Sequence, residues 1–297
     1  MNERTATGIG FVAVFLWSLL ASLTTLAGSI PPFQLVAMSF VIGGLLGIAY
    51  IAISGKRFRV LRDVPPPAWI LGVAGLFGYH LLFFLALRHA PALEANLLNY
   101  TWPLLIVLFS ALIPVQGARA GLRWWHVAGA ALGLAGTVLI LTSSGEAGFS
   151  ASAWRGYLAA AGASVVWALY SVLSRRFAAV PSIAVAGYCL VTAAGAGLCH
   201  VLFEVTVWPQ RASQWIAIAG LGIGPIGLAF YVWDYGVKHG DIRVLGAAAY
   251  ATPLLSTLLL VLLGFGEATP ALWGACALIT GGAVLAAREL LMPRRAG

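Results

Sequence analysis

The sequence predicts an all-α integral membrane protein whose ten transmembrane helices form two five-helix repeats of opposite orientation. Three observations carry that prediction. Hydrophobic residues make up 61% of the 297-residue chain and charged residues 9%, where soluble proteins are roughly a quarter charged. Charge-free runs occupy 5–55, 64–87, 95–118, 124–145, 156–174, 177–203, 212–233, 244–266 and 268–287, and each exceeds the ~18 residues that read as a spanning helix. The first run holds two helices, turned at Pro31-Pro32, so the runs make ten spans. The chain also repeats itself at an offset of 150 residues: Trp17 returns as Trp167, Leu71-Gly72 as Leu221-Gly222, His89 as His239, Tyr100 as Tyr250, and Pro103-Leu104-Leu105 as Pro253-Leu254-Leu255. Leucine matches are cheap in so apolar a chain; the Trp, His, Tyr and Pro matches carry the weight. The repeats cover 1–149 and 150–297. Because five spans is an odd number, the second copy must sit upside down. Inverted repeats are typical of carriers that hold a substrate between their halves near the midplane.

Orientation follows from the cations. With the N-terminus in the cytoplasm, the inner loops and tails hold Arg4, Lys56, Arg57, Arg59, Arg62, Arg119, Arg123, Arg175, Arg176, Lys238, Arg243, Arg288, Arg294 and Arg295. Arg88, Arg155 and Arg211 fall outside. Fourteen cations against three satisfy the positive-inside rule with both termini cytoplasmic. The net charge of +8 is thus a topology signal, and no nucleic-acid partner is expected.

The first span continues into a second apolar helix and belongs to the repeat, so it is not a removable signal peptide. It carries Trp17 near its middle, away from the interfacial belts where membrane Trp concentrates, with Ser18, Ser22 and Thr25 on an adjacent face. The third span carries His80 midway along, with Phe77 and Phe84 on its face. Hydrogen-bonded packing and ligand contact both suit such a histidine. The fourth span is the richest: Asn96, Asn99, Tyr100 and Pro103 stand at i, i+3, i+4 and i+7, on one helical face. Pro103 has no amide hydrogen, so the carbonyl of Asn99 loses its helical partner and the helix should kink. In the sixth span Ser164, Trp167, Tyr170, Ser171 and Ser174 share a face; small hydroxylated residues also serve helix packing. Trp17 and Trp167 offer a flat wall to a ring-bearing ligand.

Cys189, Cys199 and Cys276 lie inside spans without metal-type spacing and read as small apolar residues. Asp234 closes the eighth span and should pair with Lys238 one turn on. In the ninth span Pro253 frees the carbonyl of Ala249 beside Tyr250, as Pro103 does in the fourth. Broken helices are tolerated where protein or a water-filled cavity lines them, and a packing kink is the simpler alternative. His89, His200 and His239, near span ends, read as interfacial.

No zinc-protease H-E-x-x-H motif, G-x-S-x-G elbow or phosphate-binding G-x-x-x-x-G-K-[ST] loop occurs, so neither an enzyme nor an ATP-driven pump is expected. No metal and no cofactor is expected. Channels usually rely on charged rings or carbonyl filters in oligomers, whereas this chain carries its own twofold repeat and suits a monomer.

Three segments carry a family resemblance: Leu16-Trp17-Ser18, Ala86-Leu87-Arg88-His89-Ala90, and the run Glu94-Ala95-Asn96-Leu97-Leu98-Asn99-Tyr100-Thr101-Trp102-Pro103. With ten spans in two inverted copies, the chain resembles the EamA-type branch of the drug/metabolite transporter superfamily, and the third segment is similar to its aromatic amino acid exporter subgroup. The resemblance implies export of aromatic amino acids from a bacterial cytoplasm across the inner membrane; a broader exporter of small metabolites or planar drugs is the alternative. The family's acidic residue after a Gly, near the last helix of each half, is kept as Gly266-Glu267, but Gln116-Gly117 stands in the first half. On this reading Trp17 and Trp167 stack on the substrate ring, and the carbonyls of Asn99 and Ala249 take its ammonium. Asn96, Asn99 or His80 donates to its carboxylate, Tyr100 and Tyr250 close the cavity, and Pro103 and Pro253 are the hinges.

Overall fold

The computed structural model describes residues 2–55, 58–113, 123–143, 150–262 and 269–288. Lys56, Arg57, Gln116, Gly117, Arg119, Glu146, Gly266, Glu267, Arg294 and Arg295 lie outside the described residues. Among the described residues there is no strand. Nine helices among the described residues are long and apolar enough to cross a membrane: α1 Glu3–Ala27, α2 Pro32–Ile53, α3 Pro66–His89, α4 Ala92–Leu112, α5 Trp124–Thr142, α6 Ala151–Phe177, α7 Ser182–Phe203, α8 Ala212–His239 and α9 Ile242–Leu259. A further apolar helix, α10 Pro270–Ala286, has 17 residues.

Proline stands in the first turn of α2, α3 and α10, where its missing N–H costs nothing and its φ is preset for a helix. Thr269 caps α10 by accepting from the Leu272 amide at 3.3 Å.

Four of these helices are interrupted near their middles. The α3 backbone makes a π-turn at Ala74–Gly78 and α8 makes one at Gly224–Leu228. In α4 regular helix stops at Asn99 and resumes at Trp102; in α9 it stops at Ala248 and resumes at Ala251. Pro103 and Pro253 therefore do more than bend their helices, since the turn before each leaves the α-helical pattern. In α1 a shorter lapse falls at Leu19.

The helices pack in matched sets. Helix α5 lies along α10 and α2 along α7, while α1 packs on α8 and α9 much as α6 packs on α3 and α4. The α5–α10 contact is close because Gly129 and Gly282 oppose each other: a Cβ on either would press on the other's carbonyl oxygen. Large apolar side chains such as Phe15, Leu45, Ile70, Val201 and Trp273 point outward, as a lipid-facing surface requires. The main core runs through the centre, from Phe40 of α2 to Trp102, Trp167 and Trp233.

Candidate functional site

The interrupted helices converge on a cluster of aromatic rings. Trp17 stands at its centre, its ring centroid 5.0 Å from Trp233, 5.8 Å from Trp167 and 6.1 Å from both Trp102 and Phe230. Trp167 reaches Tyr79 at 5.5 Å and Tyr170 at 5.2 Å. His80 stands edge-on to Phe40 at 5.1 Å and to Tyr79 at 5.2 Å, and lies 6.3 Å from Phe230. Most of these contacts are tilted or T-shaped, which the ring quadrupole favours over face-to-face stacking.

The π-turns serve this cluster directly. A π-turn bonds amides to carbonyls five residues back, so a carbonyl is released from the regular ladder. Pro225, in the α8 π-turn, accepts the Trp17 indole N–H at 3.1 Å. Leu76, in the α3 π-turn, accepts from His80 Nδ1 at 2.7 Å. A carbonyl can only accept, so Nδ1 carries the hydrogen and Nε2 of the neutral ring is an acceptor. The Trp233 indole donates to Ser171 Oγ at 3.1 Å, and Thr101 in the α4 break meets Ser164 at 2.7 Å. The serines of the α6 face therefore pin neighbouring helices, in keeping with the packing alternative.

The structure brings Trp17, His80, Asn99 and Trp167 to one region. Asn99 is buried; its Nδ2 donates to the Tyr79 hydroxyl at 3.1 Å, and its Oδ1 has no partner. A buried acceptor without a donor is unusual enough to call for a ligand or water. Asn99 Oδ1 and His80 Nε2 are both acceptors, which suits an ammonium group where the sequence suggested donors to a carboxylate. Trp17 and Tyr100 are part-exposed, whereas Trp167 is only 3% exposed. Asn96 spends its amide on the Ala92 carbonyl of its own helix, at 2.7 Å.

Tyr250 does not join this group. It is fully buried in a second core with Val107 and Ile279, and its hydroxyl accepts the Leu104 amide at 3.2 Å. That phenol replaces a helical acceptor just after the α4 break, so Tyr250 ties the two broken helices together and does not close a cavity. The Ala249 carbonyl is likewise occupied, by the Thr252 amide at 3.0 Å.

Phe40, Tyr79, Trp102, Phe230 and Trp233 belong to the cluster but were not singled out from the sequence. The repeat offset could have found two of them: Phe230 stands 150 residues after His80, and Trp233 the same distance after Phe83.

Several charges are buried outside the cluster. Asp234 and Lys238 pair at 2.8 Å with side chains 1% and 3% exposed, and Lys238 also donates to the Val180 carbonyl at 3.0 Å. Glu204 accepts from the Phe33 and Gln34 amides at 3.1 and 3.2 Å, capping α2, and pairs with His200 at 3.0 Å. His200, near the end of α7, is thus buried as a partner of Glu204. Of the three cysteines Cys189 is buried, while Cys199 and Cys276 are partly exposed.

Residues 5–142 match the sequence profile of the EamA-like transporter family, and residues 154–288 match it again. The chain belongs to the EamA-like transporter family. It is 54% identical over 287 residues to the "Aromatic amino acid exporter YddG" of Ancylobacter novellus, covering 96% of this chain and 98% of that one. The protein of the same name from Escherichia coli is 26% identical over 96% of this chain and 97% of its own length. The "Uncharacterized inner membrane transporter YedA" of Escherichia coli is 26% identical over 77% of this chain and 72% of its own. A crystal structure of a protein 54% identical to this chain superposes with a TM-score of 0.91, over 99% of this chain and 100% of the other. The EamA fold thus accounts for the all-helical architecture around the aromatic cluster.

Proposed function

We infer that this protein exports aromatic amino acids from the cytoplasm, by alternating access between two inverted five-helix repeats. It is a multi-pass protein of the bacterial inner membrane. The observation that carries the substrate reading is the uncharged aromatic cluster around Trp17, in a chain 54% identical along nearly its whole length to a relative named as an aromatic amino acid exporter. Trp17 and Trp167 are the ring wall. Asn99 Oδ1 and His80 Nε2 accept from the ammonium. Tyr100, part-exposed in the α4 break, and Asn96 beside it line the approach. Pro103 and Pro253 are the hinges, and the protein acts without a catalytic step.

The two-repeat reading, with divisions 1–149 and 150–297 and both termini cytoplasmic, has several supports. The family profile matches twice. The π-turns at 74–78 and 224–228, and the helices 79–89 and 229–239 after them, recur at the sequence offset of 150 residues. Residues equivalent by that offset meet across the centre: Trp17 with Trp167 at 5.8 Å and His80 with Phe230 at 6.3 Å. Such self-contacts are expected on a pseudo-twofold axis.

Alternating access is supported by an asymmetry between equivalent segments. Residues 79–85 are all part-exposed, whereas 229, 230, 233, 234 and 236–238 are buried. Residues 242–249 are all buried, whereas only Glu94, Ala95 and Asn99 are buried across 92–99. Lipid contact should be alike for equivalent positions, so the difference reflects access from one side. With the N-terminus inside, the more exposed half is the extracytoplasmic one, as an outward-facing conformation would have it.

Purified protein in liposomes, supplied with labelled tryptophan, leucine or a nucleotide sugar, tests the reading. Saturable tryptophan flux well above the other two is expected. Comparable flux of all three would favour the broad-range metabolite and drug exporter, and nucleotide-sugar flux without tryptophan flux would overturn aromatic export.

A further inference from the structure

A small cavity continues from the aromatic cluster toward the end of α8 that carries the buried ion pair. Along α6, Trp167, Tyr170 and Ser174 follow one another down a single face; along α8, Phe230, Asp234 and Lys238 do the same at i, i+4 and i+8. The first residue of each row is in the cluster, and the later ones line the cavity together with Tyr188 of α7. On the α3 side Gly72 and Gly75 carry no side chain where the rings of Tyr188 and Tyr170 stand, and a Cβ on either would strike those rings. In this conformation about 10 Å³ of the cavity is free to occupy, about one water's worth.

Its chemistry is unusual for a packed region. One carboxylate and one ammonium face each other at 2.8 Å, both nearly inaccessible. Beside them the hydroxyl of Tyr170, a residue 1% exposed, faces the Ser174 side chain of its own helix. Buried ion pairs gain little net stability over apolar packing of similar volume, so the pair calls for another explanation. The central cluster supplies another part of the argument. It offers acceptors for an ammonium group, Asn99 Oδ1 and His80 Nε2, but no cation for a carboxylate.

We propose that this cavity is the loading site of the cytoplasm-facing conformation, built for the zwitterion of an α-amino acid. The substrate ammonium displaces Lys238 from Asp234, its carboxylate takes the place of Asp234 beside Lys238, and Tyr170 and Tyr188 receive its ring. No charge is left unpaired during the exchange, because two ion pairs replace one pair and a solvated zwitterion. The row of residues on α6 and α8 then leads the ring toward Trp167 and Phe230. In the outward-open conformation Asp234 and Lys238 satisfy each other and the site is shut. This proposal rests on the export function and topology inferred above.

The test is the half-saturation concentration for tryptophan at each face, in inside-out and right-side-out vesicles, for wild type and for Asp234→Asn/Lys238→Met. The double substitution keeps the volume and leaves no lone charge. At the cytoplasmic face the value should rise about tenfold or more, the equivalent of ~1.4 kcal/mol, and at the other face it should not move. A pair that merely latches the inner gate predicts the reverse sign, since loosening it populates the inward-open state and lowers the cytoplasmic value while raising the other. That result, or no change at either face, overturns the proposal. Should the double variant fail to fold, Tyr170→Phe, which removes the hydroxyl beside the pair, should raise the cytoplasmic value a few-fold alone; an unchanged value overturns the proposal equally. Wild-type tryptophan flux separates the two inferences: if it is absent, the export reading itself has failed.

Discussion

Truncating the two central tryptophans to alanine should have unlike consequences, although they occupy equivalent positions in the chain. Trp17 is part-exposed, touches four other rings at 5.0–6.1 Å, and holds its indole by one hydrogen bond to Pro225. Trp167 is 3% exposed and packed among Tyr79, Trp102, Tyr170, Phe230 and Trp233. Removing a buried Trp leaves a cavity and costs ~3–5 kcal/mol of stability. Removing Trp17 opens a site already reached from one side, so its folding cost is smaller. The loss of ring–ring contact with a bound substrate is ~0.5–1.5 kcal/mol beyond area burial, up to about tenfold in apparent affinity. Trp17→Ala should therefore raise the half-saturation concentration for tryptophan up to tenfold with near-normal expression, and affect threonine less. Trp167→Ala should lower the unfolding temperature of the solubilised protein first. Tryptophan and threonine uptake in proteoliposomes, run beside thermal unfolding of both variants, measures this. Equal loss of stability in both, with equal loss of both fluxes, would show that Trp17 is ordinary core and would refute the reasoning.

Other substitutions probe separate parts of the site. His80→Ala should weaken tryptophan and tryptamine alike in competition assays, because Nε2 is an acceptor for the ammonium they share; weakening of tryptophan alone would place His80 at the carboxylate. Tyr250→Phe leaves the Leu104 amide without its acceptor and should cost ~1–3 kcal/mol in thermal or denaturant unfolding, with half-saturation unchanged. Pro103→Ala and Pro253→Ala each restore a donor to a broken helix and should slow transport at normal expression; full activity in the double variant would make both breaks packing features. Cysteines placed at Arg62, on one side, and at Ser29 and Arg211, on the other, all exposed positions, should be labelled only from the cytoplasm and only from outside respectively, and opposite labelling at two of them would refute the inverted topology. Lys238 is unsuited to that assay because it is buried.

Much of the architecture was legible because it rests on terms the sequence states outright. Length of charge-free runs fixes spanning helices, and proline fixes where the helical ladder must fail, so the breaks beside Pro103 and Pro253 followed directly. The Asp234–Lys238 pair followed from spacing alone. Less legible were features set by contacts between distant helices. The π-turns depend on what faces them: nothing in Ala74–Gly78 announces that the Leu76 carbonyl will hold His80, nor does Pro225 announce Trp17. Tyr250 misled because its local setting copies that of Tyr100, yet Leu104 and Gly133, which decide its role, lie more than a hundred residues away. Nothing in the local sequence announces that Glu204 caps α2, since its donors come from residues 33 and 34.

The same comparison explains why equivalent sequences occupy unequal environments. If both repeats had their preferred packing at once, α3–α4 and α8–α9 would be equally buried, and the centre would be sealed from both sides or open to both. Instead the second pair is packed down on α1, with Gly236 against Gly10 and the Asp241 amide donating to Thr7 Oγ1 at 2.9 Å, while the first pair is partly exposed. Packed interiors deform little and switch between discrete arrangements. On the alternating-access reading, a chain whose two halves compete for one closed arrangement has a second state, reached by exchanging which half is closed. In that exchange the charges matter most. The aromatic cluster can persist through it, because apolar rings tolerate small shifts. On the loading-site proposal, the Asp234–Lys238 pair exchanges partners when its cavity opens, and a zwitterionic substrate arriving from the cytoplasm supplies them.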